Sequence, residues 1–507
     1  MKPAAVDVQS GQATRRPASR WPASRWPVTR VTALREPGLA ARALRRHWLA
    51  IVLLAAGLVL RVLTQLAYRP ALFYIDSERY LYNADGMDPV GYKGPLKAIL
   101  FVGNFDAVAA VQHLLGLAMA VLLYLLLLRR GVSRWLAALA IAPILLDAYQ
   151  LQNEQSVMPG TWFEALIVAG LAILLWRPAA GWRRVVAAGV VLGASATVAQ
   201  VGEALILPGV IYLLVAGGGW RAALGKAAAF CAAFALPILA YCTVSYLVAG
   251  EFFLSHTGVT SFYGRTAAAV DCATIKLTPA ERGMCPDPAQ QAHGPDWLEY
   301  GDGSPVAPYY AHLPRAEVDS LLSDFNHRVL TQQPLRLIRA YGRDLVKLFA
   351  LTRDTSPGDT PISRWQFQTS FPYFPPHASV GVIDTAVGRY GGGTPAVWRP
   401  VATFLRAYQL DGGYTPGPLL LLVTVAGAAG SLTLARRRWR ADPGTRQLAL
   451  ACLLFTVSGA AVLLVSDLFE FSWRYQLPVL VTLVPGGVLG LAVLVRLARR
   501  PPAAAAD

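Results

Sequence analysis

Two acidic residues in a short polar segment are the first candidates for chemistry. Residues 74–80 read Tyr-Ile-Asp-Ser-Glu-Arg-Tyr and place Asp76 and Glu78 two positions apart, just after the first long apolar run. A carboxylate can take a proton from an attacking hydroxyl, or hold magnesium or manganese beside a phosphate. In an extended segment both side chains would face one site. Arg79 and Tyr80 would support it by pairing with a carboxylate or phosphate. An ordinary polar loop is the alternative interpretation.

Basic and aromatic residues elsewhere could hold an anionic headgroup. Lys93 and Lys97 lie further along the same segment, and Arg474 and Tyr475 directly precede the last apolar run. A guanidinium is a good phosphate ligand, and lysines beside a bilayer suit anionic lipid headgroups. The competing interpretations are an interfacial anchor for Lys97 and, for the arginine, an i, i+4 helix pair with Glu470.

Two further acidic residues, Glu154 and Glu203, lie near predicted membrane boundaries, between apolar runs. Acidic residues at that depth are costly unless they have a function or a partner, so both are supporting candidates. Simple solvation in a turn is the alternative for each.

The five cysteines fit no metal-ligand spacing. Cys272 and Cys285 lie in a long polar segment and could form a disulfide if that segment is outside the cytoplasm. The other three lie in apolar runs, which favours simple packing.

The composition indicates a membrane protein. The chain is 55% hydrophobic and 15% charged, with a mean hydropathy of +0.42, which is too apolar for a soluble globular protein. The net charge of +16 does not indicate a nucleic-acid partner, because the basic residues cluster at the ends of apolar runs. We therefore expect contact with a lipid bilayer and none with nucleic acid.

Run lengths and flanking charges predict an all-α polytopic membrane protein with about ten transmembrane helices and an external mixed domain between helices 7 and 8. The predicted spans lie near residues 48–67, 107–128, 135–149, 159–176, 185–200, 204–219, 227–249, 417–435, 447–466 and 477–495. The predicted domains are a disordered basic cytoplasmic tail (1–46), an N-terminal transmembrane module (47–250) with a catalytic external loop (68–106), an external domain (251–416), C-terminal transmembrane helices (417–497) and a cytoplasmic tail (498–507).

The distribution of basic residues predicts both termini in the cytoplasm, and residues 74–80 and Arg474 on the external face. The high Ala, Arg and Gly content is typical of a GC-rich bacterial genome, so the expected location is a bacterial inner (plasma) membrane. Residues 335–351 have the periodicity of an amphipathic helix, which predicts either a helix at the membrane interface or one packed on the domain core.

The order of these motifs resembles the GT-C superfamily of membrane glycosyltransferases, which use polyprenyl-phosphate-linked sugars. The nearest likenesses are the protein O-mannosyltransferases and the aminoarabinose transferases acting on lipid A. Residues 76–80 look like the acidic motif in the first external loop of those families. Residues 92–96, Tyr-Lys-Gly-Pro-Leu, are similar to a Lys-Pro or His-Pro-Pro element but lack the histidine. Residues 474–478, Arg-Tyr-Gln-Leu-Pro, match an Arg-Tyr-x-x-Pro element before a late helix.

The resemblance implies a GT-C-like fold, a polyprenyl-phosphate-sugar donor and a cell-wall glycan, glycolipid or protein acceptor. Asp76 would be the general base, and Glu78 would position the acceptor or a metal ion. Lys93, Arg474 and Tyr475 would bind the lipid phosphate as it leaves. Such enzymes invert the anomeric carbon in a single displacement. Dependence on a divalent cation varies among them and is left open.

Three other functions fit parts of the pattern. A ligase that transfers a whole glycan from a lipid diphosphate would use similar basic residues. A transporter or flippase of lipid-linked intermediates would show inverted repeats and broken helices near the membrane midplane, and the sequence shows no convincing repeat. A non-catalytic envelope scaffold would keep its function after both Asp76 and Glu78 are changed.

Overall fold

The computed structural model describes residues 42, 44–82, 89, 91–373, 380–435 and 442–499. The chain divides into two compact units, Met1–Trp48 and Leu49–Asp507. Apart from Trp48 at the start of the first helix, every feature below lies in the second unit. The predicted tails 1–46 and 498–507 fall almost wholly outside the described residues.

The first half of the chain folds into helices. They are α1 (Trp48–Ala67), α2 (Ile75–Leu81), α3 (Lys93–Val102), α4 (Phe105–Arg129), α5 (Arg134–Leu146), α6 (Ala148–Gln155), α7 (Gly160–Leu175), α8 (Trp182–Val198), α9 (Ile206–Ala216) and α10 (Trp220–Ala249). A 3-10 helix, Gln200–Leu205, leads into α9.

The second half continues in helices. They are α11 (Thr257–Ala269), α12 (Pro279–Arg282), α13 (Pro288–Ala292), α14 (Pro295–Tyr300), α15 (Ala307–His312), α16 (Arg315–Gln332), α17 (Pro334–Lys347), α18 (Val380–Tyr390), α19 (Arg399–Leu410), α20 (Gly417–Leu432), α21 (Pro443–Phe469) and α22 (Leu483–Ala498). The 3-10 helices here are Ile362–Trp365, Thr433–Ala435 and Trp473–Leu480.

Six helical stretches within the described residues are long and apolar enough to cross a membrane. They are Trp48–Ala67, Phe105–Arg129, Trp220–Ala249, Gly417–Ala435, Pro443–Phe469 and Trp473–Ala498. The pair α5 and α6, bent by 53°, makes a seventh if it is counted as one span. Helices satisfy their own backbone hydrogen bonds in lipid, so this is the architecture of an all-α polytopic membrane protein.

The predicted count of about ten spans is not confirmed. Helices α7 and α8 have 16 and 17 residues, which makes them about 25 Å long against a hydrocarbon core of roughly 30 Å. Helix α5 stops at Leu146 because Asp147 begins α6 by accepting a hydrogen bond from Tyr149 N at 3.0 Å. Apolar run length alone did not reveal these breaks.

Glycines allow some of the helices to approach closely. A Cβ added to Gly193 of α8 would lie 2.0 Å from the carbonyl oxygen of Phe234 in α10. A Cβ on Gly490 of α22 would lie 2.1 Å from that of Ala426 in α20. Small residues at such contacts are a common means of packing membrane helices, because they let dispersion contacts form along the backbone.

The segment predicted as one external domain contributes to different cores. Residues 257–332 form a small helical lobe around side chains such as Tyr263 and Phe325, both fully buried. Phe367 and Leu405, by contrast, belong to the main core shared with the membrane helices. The described part of this segment consists of helices, connecting loops and one short strand, so it has less sheet than the predicted mixed domain implied.

That strand connects the segment to the first loop. Strand β1 (Tyr68–Arg69) pairs antiparallel with β2 (Ala396–Val397), with Tyr68 opposite Val397. Trp398 N extends the contact by donating to Ala67 O at 2.9 Å. A two-residue strand leaves no alternating pattern to read, which is why the sequence did not predict it.

Helix α17 has one side buried against the protein and one exposed apolar side. Leu337 and Ala340 are buried against the protein. On the opposite side Leu335, Ile338 and Val346 are more than 60% exposed. Arginines 336, 339 and 343 are exposed beside that apolar stripe, an arrangement typical of helices at a membrane interface.

We predict that the Cys272→Ser/Cys285→Ser double variant loosens the lobe. The structure joins these cysteines by a disulfide with a sequence separation of 13, and a chain-entropy treatment assigns a loop of this size about 3 kcal/mol. Helix α16 contacts the loop through an Arg328–Glu281 ion pair at 2.5 Å, so hydrogen exchange in α16 should accelerate. Mass spectrometry would measure it, with Cys231→Ser as the control. Unchanged protection of α16 in the double variant would contradict the prediction.

Candidate functional site

A small cavity lies where α6 meets the segment before α2 and the 3-10 helices Ile362–Trp365 and Trp473–Leu480. It is lined by Tyr74, Tyr149, Gln152, Asn153, Ser156, Met158, Trp365, Arg474 and Leu477. Apolar and aromatic walls with a few polar groups are typical of sites for small ligands.

Helix α2 is held against the chain that follows α6. Val157 N donates to Leu72 O at 2.9 Å. Ser77 Oγ accepts from Tyr74 N at 2.9 Å and donates to Val157 O at 3.0 Å. The hydroxyl therefore caps the first turn of α2 and fixes its orientation relative to the end of α6.

Asp76 and Glu78 do not face one site. The prediction that they would assumed an extended segment, but Ile75–Leu81 is an α-helix. Residues two apart on a helix point about 200° away from each other. Asp76 turns toward arginines, and Glu78 lies half-buried on another side of α2.

The acidic motif and the late arginine motif meet in an ion pair. Arg474 Nη1 donates to Asp76 Oδ2 at 2.7 Å, although 398 positions separate them in the sequence. Arg79 Nη1 lies 3.9 Å from Asp76 Oδ1. Burial raises the pKa of Asp76, but the positive charges of Arg474 and Arg79 outweigh it and leave the pKa below its usual value. Asp76 is therefore ionised at neutral pH.

Aromatic rings hold the guanidinium of Arg474, the second residue of the 3-10 helix Trp473–Leu480. Its Cζ lies 4.6 Å from the ring centroid of Trp365 and 4.8 Å from that of Tyr475. Its Nη2 donates to Tyr475 Oη at 2.9 Å. Within the described residues, the bonds to Asp76 and Tyr475 use two of its five N–H donors. The side chain is 18% exposed, so the other donors can reach an anion.

Glu470 forms a second acidic centre and not the helix pair considered for it. Its Oε2 accepts from Thr360 Oγ1 at 3.2 Å, while Arg474 pairs with Asp76. Burial, followed by the nearby carboxylate of Asp296, raises the pKa of Glu470 to about 8. The group is mostly protonated at pH 7, which leaves the charge of Arg474 available to Asp76 and to a ligand.

A buried ion-pair network holds α6. Arg61 of α1 and Glu154 of α6 pair at 2.7 Å, with side-chain exposures of 2% and 0%. His113 Nδ1 of α4 lies 2.9 Å from the other carboxylate oxygen of Glu154. Glu154 therefore joins three helices and is not solvated in a turn. Sequence reasoning missed Arg61 and His113, although an arginine within an apolar run signals a buried partner.

Lys97 lies outside the Asp76–Arg474 contact. Lys97 Nζ donates to Leu81 O at 2.8 Å and to Tyr390 Oη at 2.6 Å. It therefore caps the end of α2 and links it to α18. Lys93 is the first residue of α3, and its role as a phosphate ligand stays a prediction.

Two other supporting residues have different surroundings. Tyr80 is buried and packs edge to face on Tyr92, with ring centroids 5.2 Å apart, and it also interacts electrostatically with Arg474. Glu203 is exposed in the 3-10 helix before α9. Trp365, which does contact Arg474, was not predicted, because nothing in its local sequence marks it.

The carboxylates of α2 do not fit a divalent cation. Asp76 faces the guanidinium groups of Arg474 and Arg79, and Glu78 lies on another side of the helix. Across the described ranges, no group of three or more His, Cys, Asp or Glu side chains could hold a metal ion. The magnesium or manganese site considered for Asp76 and Glu78 is therefore not formed by this pair in this structure.

No protein-family model matches the chain, and no curated protein matches it. Among solved structures, it is similar to the S. cerevisiae protein O-mannosyltransferase Pmt1–Pmt2 complex bound to the sugar donor, at 16% sequence identity and a TM-score of 0.31. The match covers 45% of this chain and 37% of that chain. A likeness at this level carries no argument about activity, so the functional proposal depends on the geometry of the site.

We predict that Glu154→Gln destabilises the folded protein. The substitution leaves Arg61 buried without its counter-charge, and breaking a buried pair from one side costs about 3–5 kcal/mol. Thermal unfolding in detergent, followed by tryptophan fluorescence, should show a lower Tm. Glu203→Gln is the matched control, because Glu203 is exposed. An equal Tm for the two variants would contradict the prediction.

We predict that Glu470→Gln flattens the pH dependence of stability. An acid with a raised folded pKa binds more protons when folded, so stability falls as pH rises from the unfolded pKa toward the folded value of about 8. Glutamine does not ionise and should remove up to about 1.4 kcal/mol per pH unit from that slope. Measuring Tm between the unfolded and folded pKa values of Glu470 would test the prediction. Glu317→Gln is the control, because Glu317 is exposed. The idea fails if the wild type and Glu470→Gln show the same slope.

Proposed function

We propose that the protein is a membrane glycosyltransferase. It moves a sugar from a polyprenyl-phosphate carrier to a hydroxyl of a cell-envelope acceptor, on the external face of a bacterial inner membrane. The acceptor is a cell-wall glycan, a glycolipid or a protein. The observation that carries the proposal is the Asp76–Arg474 contact at 2.7 Å, beside a small cavity that Arg474 lines. It sets a carboxylate that can take a proton next to a guanidinium that can hold a phosphate.

Arg474 binds the donor phosphate in this proposal. A guanidinium fork matches the oxygens of a phosphate, and Tyr475 and Trp365 hold it in place. Glu470 does not cancel its charge at neutral pH, because burial raises the pKa of Glu470 to about 8. The leaving polyprenyl phosphate gains negative charge, which a preorganised cation in a partly buried site stabilises. Lys93 is proposed as a further ligand of the same phosphate.

Asp76 is the general base. As the acceptor oxygen bonds to the anomeric carbon, the bond from that carbon to the phosphate oxygen breaks. The acceptor proton goes to the Asp76 carboxylate, and the electron pair of the broken bond stays on the polyprenyl phosphate. This single displacement inverts the anomeric carbon. A phosphate on Arg474 competes with Asp76 for the guanidinium and thereby raises the basicity of the carboxylate. Glu78 is proposed to position the acceptor.

One observation favours a second candidate, transport of a lipid-linked intermediate. Helices α5 and α6 are bent by 53° at Asp147, and the buried Arg61–Glu154 pair lies on the α6 side of that break. Transporters commonly bind substrates at broken helices within the membrane. A transporter needs no general base, so the two candidates differ in what Asp76→Asn does.

We predict that Asp76→Asn lowers sugar transfer about 10²–10⁴-fold, the usual contribution of a general base. Arg474→Lys keeps the charge but loses the fork and should lower transfer about 10²–10³-fold. Membranes containing each variant would be given a panel of radiolabelled polyprenyl-phosphate sugars.

The control for this prediction is Asp411→Asn, which removes an exposed carboxylate after α19. Expression and Tm of each variant would be matched to the wild type. Full transfer by Asp76→Asn would overturn the catalytic assignment. Transfer by neither wild type nor variant, together with retained flipping of a fluorescent lipid-linked sugar, would favour the transporter.

A further inference from the structure

Helix α6 is polar and yet wholly buried, and most of its side chains have partners. Its sequence is Ala-Tyr-Gln-Leu-Gln-Asn-Glu-Gln, and every residue in it is buried. Gln150 Nε2 donates to Glu164 Oε2 at 2.7 Å, and Gln155 Nε2 donates to Tyr68 O at 2.8 Å. Gln152 donates to Tyr74 Oη, and Glu154 holds the ion pair described above. Buried polar groups are expected to be bonded in this way.

Asn153 is the exception. Its side chain is 7% exposed, lines the cavity, and makes no hydrogen bond to any residue that the structure describes. An amide carries two donors and an acceptor with two lone pairs. The amide is not among the fully enclosed unpartnered polar groups of the described residues, so it can bond a ligand that enters the cavity. Such a ligand would reach Asn153 through the cavity.

A glycine on the next helix makes room for this amide. A Cβ added to Gly160, at the start of α7, would lie 2.7 Å from both Asn153 Nδ2 and Oδ1. Real Cβ atoms do not approach a polar atom so closely, so any larger residue at this position would displace the amide. The orientation of Asn153 therefore depends on the small residue behind it.

The rest of the lining fits an uncharged polyhydroxylated ring. Trp365 Nε1 is buried and has no hydrogen-bond partner among the described residues, and Trp365, Met158 and Leu477 supply apolar wall for C–H groups. A surface that combines apolar walls with a few polar groups matches a sugar ring, which presents both C–H groups and hydroxyls.

We propose that Asn153 binds a ring hydroxyl of the transferred sugar and sets which monosaccharide the protein accepts. The inference rests on the proposed function, since Arg474 at the same cavity would hold the phosphate to which that sugar is attached. Nδ2 of the amide would donate to one ring hydroxyl oxygen, and Oδ1 would accept from the O–H of a neighbouring hydroxyl. A neutral amide suits this task because it can both donate a hydrogen bond to a hydroxyl oxygen and accept one from a hydroxyl proton. Asn153 sets specificity, whereas Asp76 takes part in the bond-making step.

A deoxy-sugar scan tests the proposal. The donor preferred by the wild type would be compared with polyprenyl-phosphate donors that each lack one ring hydroxyl, and kcat/KM would be measured for each. We expect one deoxy donor to be about tenfold or more worse than the parent with the wild type. With Asn153→Ala that penalty should vanish, because the parent donor falls to the level of the deoxy donor while the deoxy donor is unaffected.

Two more variants separate a local effect from general damage. Gly160→Ala should shrink the same penalty by displacing the amide, while Gly218→Ala, where an added Cβ meets nothing within 4 Å, should leave it unchanged. Asn153→Ser removes the amide but leaves a polar hydroxyl at this position, and it serves as the reporter if Asn153→Ala is poorly folded. Tm in detergent would be recorded for all of them.

The possible results are distinct. Loss of one deoxy penalty in Asn153→Ala and Gly160→Ala supports the proposal. An identical set of penalties in wild type and Asn153→Ala, with transfer still dependent on Asp76, overturns the assignment of Asn153 and leaves the glycosyltransferase standing. Absence of transfer by the wild type from every donor overturns both.

Discussion

The cost of burying a polar helix among apolar ones governs the rest of this structure. Helix α6 is held inside the bundle chiefly by Glu154, which meets Arg61 and His113, from two other helices, at 2.7 and 2.9 Å. A buried polar or charged group without such partners would be strongly destabilising. Because the partners are fixed, α6 is fixed, and so are the side chains that it turns toward the cavity. The site is therefore positioned by charges that never touch a substrate.

The functional groups come from three distant parts of the chain. Asp76 lies on the first loop, Trp365 on the long middle segment and Arg474 before the last helix, and the Asp76–Arg474 contact joins residues 398 positions apart. The β1–β2 pairing ties the first loop to the middle segment independently of the ion pair. Two separate links therefore hold the loop, and the ion pair can exchange partners with a ligand while α2 stays anchored.

The sequence predicts the parts of this structure that follow from apolar runs and local charge. Helix α1 covers Trp48–Ala67 as expected, since a run of that length has one stable form in lipid. Asp76 and Arg474 were singled out because charges next to apolar runs are conspicuous. Trp365 and Asn153 could not be singled out from the sequence, because their importance arises from neighbours brought together by folding. The helical turn at Asp76 was missed since its cap, Ser77, depends on Val157 far along the chain.

The winding of the segment that carries Arg474 has a mechanical consequence. Trp473–Leu480 is wound as a 3-10 helix over 8 residues, and such a helix advances about 2.0 Å per residue where an α-helix advances about 1.5 Å. From Arg474 to the end of that segment, the tighter winding adds about 3 Å of reach. That is comparable to the length of the bond to Asp76. The pitch of about two turns of backbone thus sets whether the last membrane helix can extend its guanidinium as far as the first loop.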